Sequence, residues 1–363
     1  MSNFNIQNVI VKRKYIELLK EAEGLSISTT DKIEKSIFIY ESFDNHSDFR
    51  TFNSDKAIKY KIWLRNKKHN EKVISLITYR NHLKNLKKFF TWLCAQPGFK
   101  SKIKPDNVRY LNISDSEDKM ATQYVLRKFP SLDEVICVVN AIDVNTEIDL
   151  RDKALISFAA LSGIRANALT SLPKVCFDPE TLIIYQDPKQ GVHTKFSKLI
   201  LSTLFKFDEK MVQSVLDWFN HLTAKNFNPY DPLFPRNKVK KGGDNLSFKE
   251  SDEVEPCFWK GTGSMREIFK KRFKAANLPY YSPHTFRHLT IHLAFKNCKN
   301  GEQIKAVSQN FGHENISTTI GSYANHQPDE LSKILKTIDF SNKELKKESE
   351  LLEKIQEILN SRK

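Results

Sequence analysis

The chain has 363 residues, 40% of them hydrophobic, which is enough for two domains with a core in each. Lysine and arginine number 58 against 43 aspartate and glutamate, a formal net charge of +15 that favours a polyanionic partner: nucleic acid, an anionic membrane surface or a ribosome. No run approaches the roughly 18 apolar residues that span a bilayer, and the opening MSNFNIQNVIVKRKY lacks the long apolar segment of a secretory signal, so a soluble, cytoplasmic protein is expected.

In chain order, helices are expected over residues 9–23, 30–41 and 54–66. The clearest one follows in SLITYRNHLKNLKKFFTWLCAQPG. There Leu76, Tyr79, Leu83, Leu86, Phe90 and Leu93 recur at alternating steps of three and four and form one apolar stripe. Gln96-Pro97-Gly98 stops it. Arg80, Lys84, Lys87 and Lys88 lie on an adjoining face. Each alone reads as a solvated surface residue; together they make a reasonable contact for a DNA backbone.

Residues 113–128 are polar, lack sustained periodicity and read as a linker. A second domain opens at Pro130-Ser131, where Ser131 and Glu134 have capping-box spacing before an apolar run. A helix over 149–161 ends at Gly163. Residues 181–186 and 196–201 are short β-type runs joined by a Pro-Lys-Gln-Gly turn, a hairpin. Residues 211–222 and 264–276 look helical, and 238–244 is a basic, glycine-containing loop. The end of the chain, 342–363, is a charged amphipathic helix in which Leu345, Leu352 and Leu359 fall at sevenfold spacing, too short a run to assert a coiled coil. The five cysteines are scattered with no CxxC pair, which argues against a zinc ribbon or a disulfide framework.

The most informative segments are LSGIRANAL (161–169), SPHTFRH (282–288) and GHENISTTIGSY (312–323). Ser282-Pro283 is a good helix start, after which His284 and Arg287 share a face. His284, His288 and His292 climb the same helix, but the run lacks the glutamate of an HExxH site and holds an arginine, so no metal is expected. Arg165, at a helix junction, can present a planar donor fork to two phosphate oxygens.

LSGIR, HTFRH and GH followed by STT and a tyrosine resemble the active-site boxes of the tyrosine recombinase (phage integrase) family. The helix ending FFTWL is similar to the last major helix of that family's core-binding domain. The resemblance covers residues from about 25 to 335. It implies a mainly α chain with a small β-hairpin: an N-terminal helix or extension (1–24), a helical core-binding domain (25–112), the linker (113–128), a catalytic domain (129–340) and the C-terminal helix (341–363). It also implies site-specific cutting and rejoining of double-stranded DNA by a homotetramer, without metal or other cofactor, in integration or excision of a mobile element or phage. Chromosome dimer resolution and gene inversion stay open.

By the same resemblance Arg165 and Arg287 clamp the scissile phosphate, His284 steers the nucleophile's proton and His313 donates to the phosphate. Tyr323 attacks to leave a 3′-phosphotyrosine. A hairpin lysine protonates the leaving 5′-oxygen: Lys195 by preference, with Lys189 the alternative and Lys198 a distant third. Two departures are visible. Ala168 stands where many members carry an acid, and ten positions separate His313 from Tyr323 where nine is commonest. A type IB topoisomerase, a catalytically silent DNA-binding relative and a metal-dependent hydrolase using the histidine ladder remain as rivals.

Overall fold

The computed structural model describes residues 4–123, 128–241 and 248–313, with residues 332, 335 and 336. The chain divides into two compact units, Met1–Val125 and Leu126–Lys363.

The first unit is helical: α1 (Ile6–Glu17), continued by a π-helical turn (Leu18–Ala22), then α2 (Ile27–Phe43), α3 (Ser54–Asn66), a two-residue ladder of β1 (Lys68–His69) and β2 (Lys72–Val73), α4 (Leu76–Leu93), α5 (Pro105–Arg109) and α6 (Asp115–Thr122). The stripe on α4 is buried as its period requires: Tyr79, Leu83, Leu86, Phe90 and Leu93 are each at most 3% exposed. Rings dominate this core, with Phe52 stacked on Phe90 at 3.8 Å and Tyr40 edge-on to Tyr60 at 5.1 Å. Val11, Tyr15 and Leu19 join the same core, so the first helix is part of the unit and not an appendage to it.

The segment expected as a linker holds α6. Ser114 and Glu117 close a capping box at its start: Glu117 N–H donates to Ser114 Oγ (3.3 Å) and Ser114 N–H to Glu117 Oε2 (3.2 Å). α6 packs on α4, and the division between the units falls after it. Its eight residues are too few to display an apolar period, whereas the cap was readable.

The second unit comprises α7 (Leu132–Asn140), α8 (Glu147–Ser162), α9 (Ala166–Thr170), β3 (Ile183–Gln186), β4 (Ile200–Thr203), α10 (Glu209–Ala224), β5 (Asn237–Lys241), β6 (Phe248–Val254), α11 (Gly263–Ala275), α12 (Pro283–Lys296) and α13 (Gly301–Asn310). The expected capping box forms at α7, where Ser131 N–H donates to Glu134 Oε2 at 2.7 Å and Glu134 N–H to Ser131 Oγ at 3.1 Å. α8 is the central helix. Twelve of its sixteen residues are buried, because α7, α10, α12 and β6 surround it. A helix covered on all sides has no polar face, and α8 shows no stripe.

The sheets are two-stranded and antiparallel among the described residues. β3 pairs with β4 in the register Ile183↔Thr203 to Gln186↔Ile200, and β5 pairs with β6 where a basic loop was expected. Among the described residues no helix is long and apolar enough to cross a membrane.

Candidate active site

The site is assembled by three chain reversals. α8 stops at Gly163, whose left-handed backbone (φ 58°) caps the helix through its N–H to Ala159 O at 3.0 Å. Space also demands glycine there: a Cβ would lie 2.7 Å from Phe311 Cε1 and 3.0 Å from Thr290 Cβ. Thr290 Oγ in turn donates to Ala160 O at 2.8 Å, tying α12 to the last turn of α8. Two residues past the reversal Arg165 occupies the N-cap of α9 in extended backbone, half-buried. Ala168, one turn on, is 1% exposed within the apolar core.

α12 begins with Pro283 in its first turn and Ser282 at the cap position. The Ser282 side chain makes no capping bond; its carbonyl instead accepts from Thr285 N and Oγ at 2.8 and 2.7 Å. His284 is exposed on this first turn, its ring edge-on to His288 at 5.6 Å. His288 and His292 pack against Phe129, with centroids at 6.4 and 5.6 Å, so the upper part of the histidine ladder is aromatic packing. Among the described residues no group of three or more His, Cys, Asp or Glu could hold a metal ion.

Arg287 is the junction of the three segments. It is 2% exposed. Nη1 donates to Gly163 O (3.0 Å), and Nη2 donates to Phe311 O (2.7 Å) and to His313 Nε2 (2.9 Å). Its guanidinium carbon lies 5.0 Å from the centroid of the Phe311 ring. These three acceptors are neutral. The guanidinium also sets the imidazole tautomer: an Nε2 that accepts leaves the proton on Nδ1. Burial, then the charges of Arg287, Arg165 and Lys195, push the His313 pKa down to about 4, so the ring is neutral at pH 7.

That influence brings Arg165, Arg287, Lys195 and His313 into one cationic cluster. Lys189 is exposed in the 3₁₀ turn Pro188–Gln190. The hairpin differs from expectation. β4 begins at Ile200 and not at 196, because Phe196 and Ser197 adopt positive φ (62° and 50°) in a short turn, Lys195–Ser197, which strand pairing does not tolerate. Lys195 therefore stands on a shaped loop, its Nζ 4.8 Å from the Phe196 ring centroid. Ser171 steadies the loop from below, its Oγ accepting from His193 N at 2.8 Å. Tyr323 and the 342–363 segment lie outside the described residues.

In the first unit, Lys84, Lys87 and Lys88 on α4 border a groove of about 750 Å³ with Leu25, Trp92 and Ile113 in its wall. Arg80 shares that wall but is held by Asp118 of α6, Nε to Oδ1 at 2.5 Å and Nη2 to Oδ2 at 3.2 Å. The hydrogen bond from Arg80 holds the Asp118 carboxyl below the usual range. Of the four residues expected at DNA, one is thus neutralised locally by an acid from the presumed linker.

Residues 132–330 match the phage integrase family. Over 315 residues the chain is 25% identical to tyrosine recombinase XerC of Natranaerobius thermophilus, covering 84% of this chain and 90% of the relative. Its fold is similar to that of a lambda integrase (75–356) dimer bound to a COC′ core site: TM-score 0.59 and 12% identity, covering 93% of this chain and 99% of that one. It is also similar to XerH site-specific recombinase bound to palindromic difH in a post-cleavage complex, with TM-score 0.57 and 14% identity, covering 90% and 84%.

Proposed function

Because this chain belongs to the phage integrase family, we propose that the cluster around Arg287 is the place where Tyr323 opens a DNA phosphodiester. The protein is a tyrosine-type site-specific recombinase that cuts and rejoins DNA by transesterification. The observation that supports the assignment of roles is the single guanidinium bonded at once to Gly163, Phe311 and His313, one partner before and two after it in sequence.

In the proposed step Tyr323 Oη attacks phosphorus while the bond to the 5′-oxygen breaks. The products are a 3′-phosphotyrosine and a 5′-hydroxyl. A phenol with pKa near 10 costs roughly 4 kcal/mol to ionise at pH 7, so its proton must be taken as the bond forms. His284, exposed at the first turn of α12, receives that proton. Lys195 Nζ delivers one to the departing oxygen, which would otherwise leave as an alkoxide. Arg165, the more exposed of the two arginines, presents its fork to the non-bridging oxygens. Arg287 sets a fixed charge beneath them, and the neutral His313 donates through Nδ1–H. Attack by a 5′-hydroxyl from another strand reverses the step, with the bond energy stored in the phosphotyrosine, so no external fuel enters. Lys84, Lys87 and Lys88 meet the duplex backbone, and four protomers act on two synapsed sites.

A nicked suicide substrate tests this reading, since loss of the short strand after cleavage traps the covalent adduct. Wild type should give a denaturant-resistant protein–DNA species and Tyr323→Phe none. Absence of an adduct with wild type would sink the assignment. On a two-site substrate a rearranged product separates recombination from a topoisomerase, which only relaxes supercoils.

A further inference from the structure

Lys195 and His313 lie far apart in the chain, yet the reaction needs the ammonium at the leaving oxygen while the imidazole is at the phosphate. Something must hold the two segments at a set reach. β4 pairs with β3 along one edge only among the described residues. In an antiparallel ladder alternate residues turn their N–H and C=O to opposite edges. Leu204 N–H donates to Leu182 O at 3.0 Å, so the even-numbered residues face β3 and Thr203 faces the other edge.

On that edge the carboxamide of Asn310, the last residue of α13, takes the part of a third strand. Its Oδ1 accepts from Thr203 N at 2.6 Å and its Nδ2 donates to Thr203 O at 3.4 Å. One residue back along β4, Ser202 Oγ donates to Asn310 O at 2.7 Å while accepting from Gln186 Nε2 at 2.7 Å. Ser202 and Gln186 are 1% and 4% exposed, so this relay is shielded from water. Two residues after Asn310 comes Gly312 (φ 65°), where a Cβ would fall 2.6 Å from Ile200 Cδ1. The turn from 310 to 312 is thus seated on β4 at Ile200, Ser202 and Thr203. His313 follows the turn directly, and Lys195 precedes Ile200 on the loop that feeds the strand.

We propose that Asn310 is a positioning residue that sets the reach between Lys195 and His313, and so aims the proton donor at the leaving oxygen. The inference rests on Lys195 being that donor. Asn310 acts through its bonds to Ser202 and Thr203 of β4.

The test is single-turnover cleavage of two nicked suicide substrates, one ordinary and one with sulfur replacing the 5′-bridging oxygen. A thiolate leaves without help because a thiol is far more acidic than an alcohol, so proton donation ceases to matter. Asn310→Leu, close in size, should slow the ordinary substrate about tenfold to a hundredfold, as small misplacements of catalytic groups do. On the sulfur substrate it should recover most of the wild-type rate, as Lys195→Ala should, with DNA affinity unchanged on both. Asn310→Asp keeps the acceptor for Thr203 N–H, should fall between, and carries the same comparison if Asn310→Leu does not fold. Wild-type speed on ordinary DNA, or an equal deficit on both substrates, would overturn the role of Asn310. No adduct with wild type on either substrate removes the underlying reaction instead, and Lys195→Ala that is unimpaired or unrescued removes the donor.

Discussion

Two arginines, one in each unit, are handled in opposite ways. In the first unit Arg80 meets a carboxylate, Asp118, at the surface. In the second, Arg287 is 2% exposed and meets two carbonyls and a neutral imidazole. A carboxylate partner offsets a guanidinium's charge, whereas a carbonyl or neutral imidazole acceptor holds the group in place without supplying a counter-charge. The second unit contains its own control: Arg272 is held by Asp149 and Asp152, both at 2.7 Å, and Asp152 is shared with the buried Arg151. The difference teaches that burial alone does not tell these arginines apart; the acceptors each one bonds do.

Breaking the acid-paired network should give the largest effect on stability. Arg272→Met leaves two carboxylates without this partner, and because the network is only partly buried and Asp152 keeps Arg151, the loss should fall below the about 3–5 kcal/mol of a fully buried pair. Urea unfolding should show the loss, while adduct formation per folded molecule at low temperature stays near wild type. If cleavage collapsed in step with Arg287 variants, the contrast between structural and functional arginines would fail.

Arg287→Lys keeps a positive charge but cannot reach Gly163, Phe311 and His313 together. Single-turnover cleavage should fall about a hundredfold to a thousandfold, the usual loss for one preorganised donor, with DNA binding close to wild type. Near-wild-type cleavage by this variant would reduce Arg287 to a packing residue.

Protonation sharpens the comparison further. The folded-state pKa of His313 is depressed to about 4, below the ordinary histidine value of 6.5, so between those values the unfolded chain binds the proton more readily. This group leaves stability untouched above pH 6.5 and lowers it progressively as pH falls toward 4. Melting curves of wild type and His313→Asn should converge through that window. Parallel curves would mean the imidazole is not held neutral by burial and its cationic neighbours.

The smallest effect is expected at Asp118. Asp118→Asn releases Arg80 to the groove bordered by Lys84, Lys87 and Lys88. Duplex affinity should rise modestly, and the plot of log K against log salt should steepen by about one, the value for one added phosphate contact. An unchanged slope would place the DNA elsewhere than on this face of α4.

Much of the architecture was legible because it depends on local rules. The stripe from Leu76 to Leu93 predicts α4 by period, Ser131 with Glu134 predicts α7 by its cap, and both stand as read. Where local signals were short or shielded they misled. Ser114 and Glu117 cap α6 within a stretch that looked like linker, and Phe196 with Ser197, expected in a β-type run, turn instead of extending. The charged cluster Arg151, Asp152, Arg272 carried no signal at all, since alternation of sign on a helix reads the same whether water or another helix lies opposite.

By itself the sequence determined which chemistry is possible: a helical nucleic-acid binder with arginines, histidines and a lysine spaced for a phosphate, because residue types and helical periods are properties of short stretches. Only the tertiary structure decided which acceptors each cation meets. Arg287 draws its acceptors from residues 124 positions before and 24 positions after it, and Arg80 meets an acid 38 positions away. Electrostatic interaction depends on distance through space and on burial, neither of which is written in chain order.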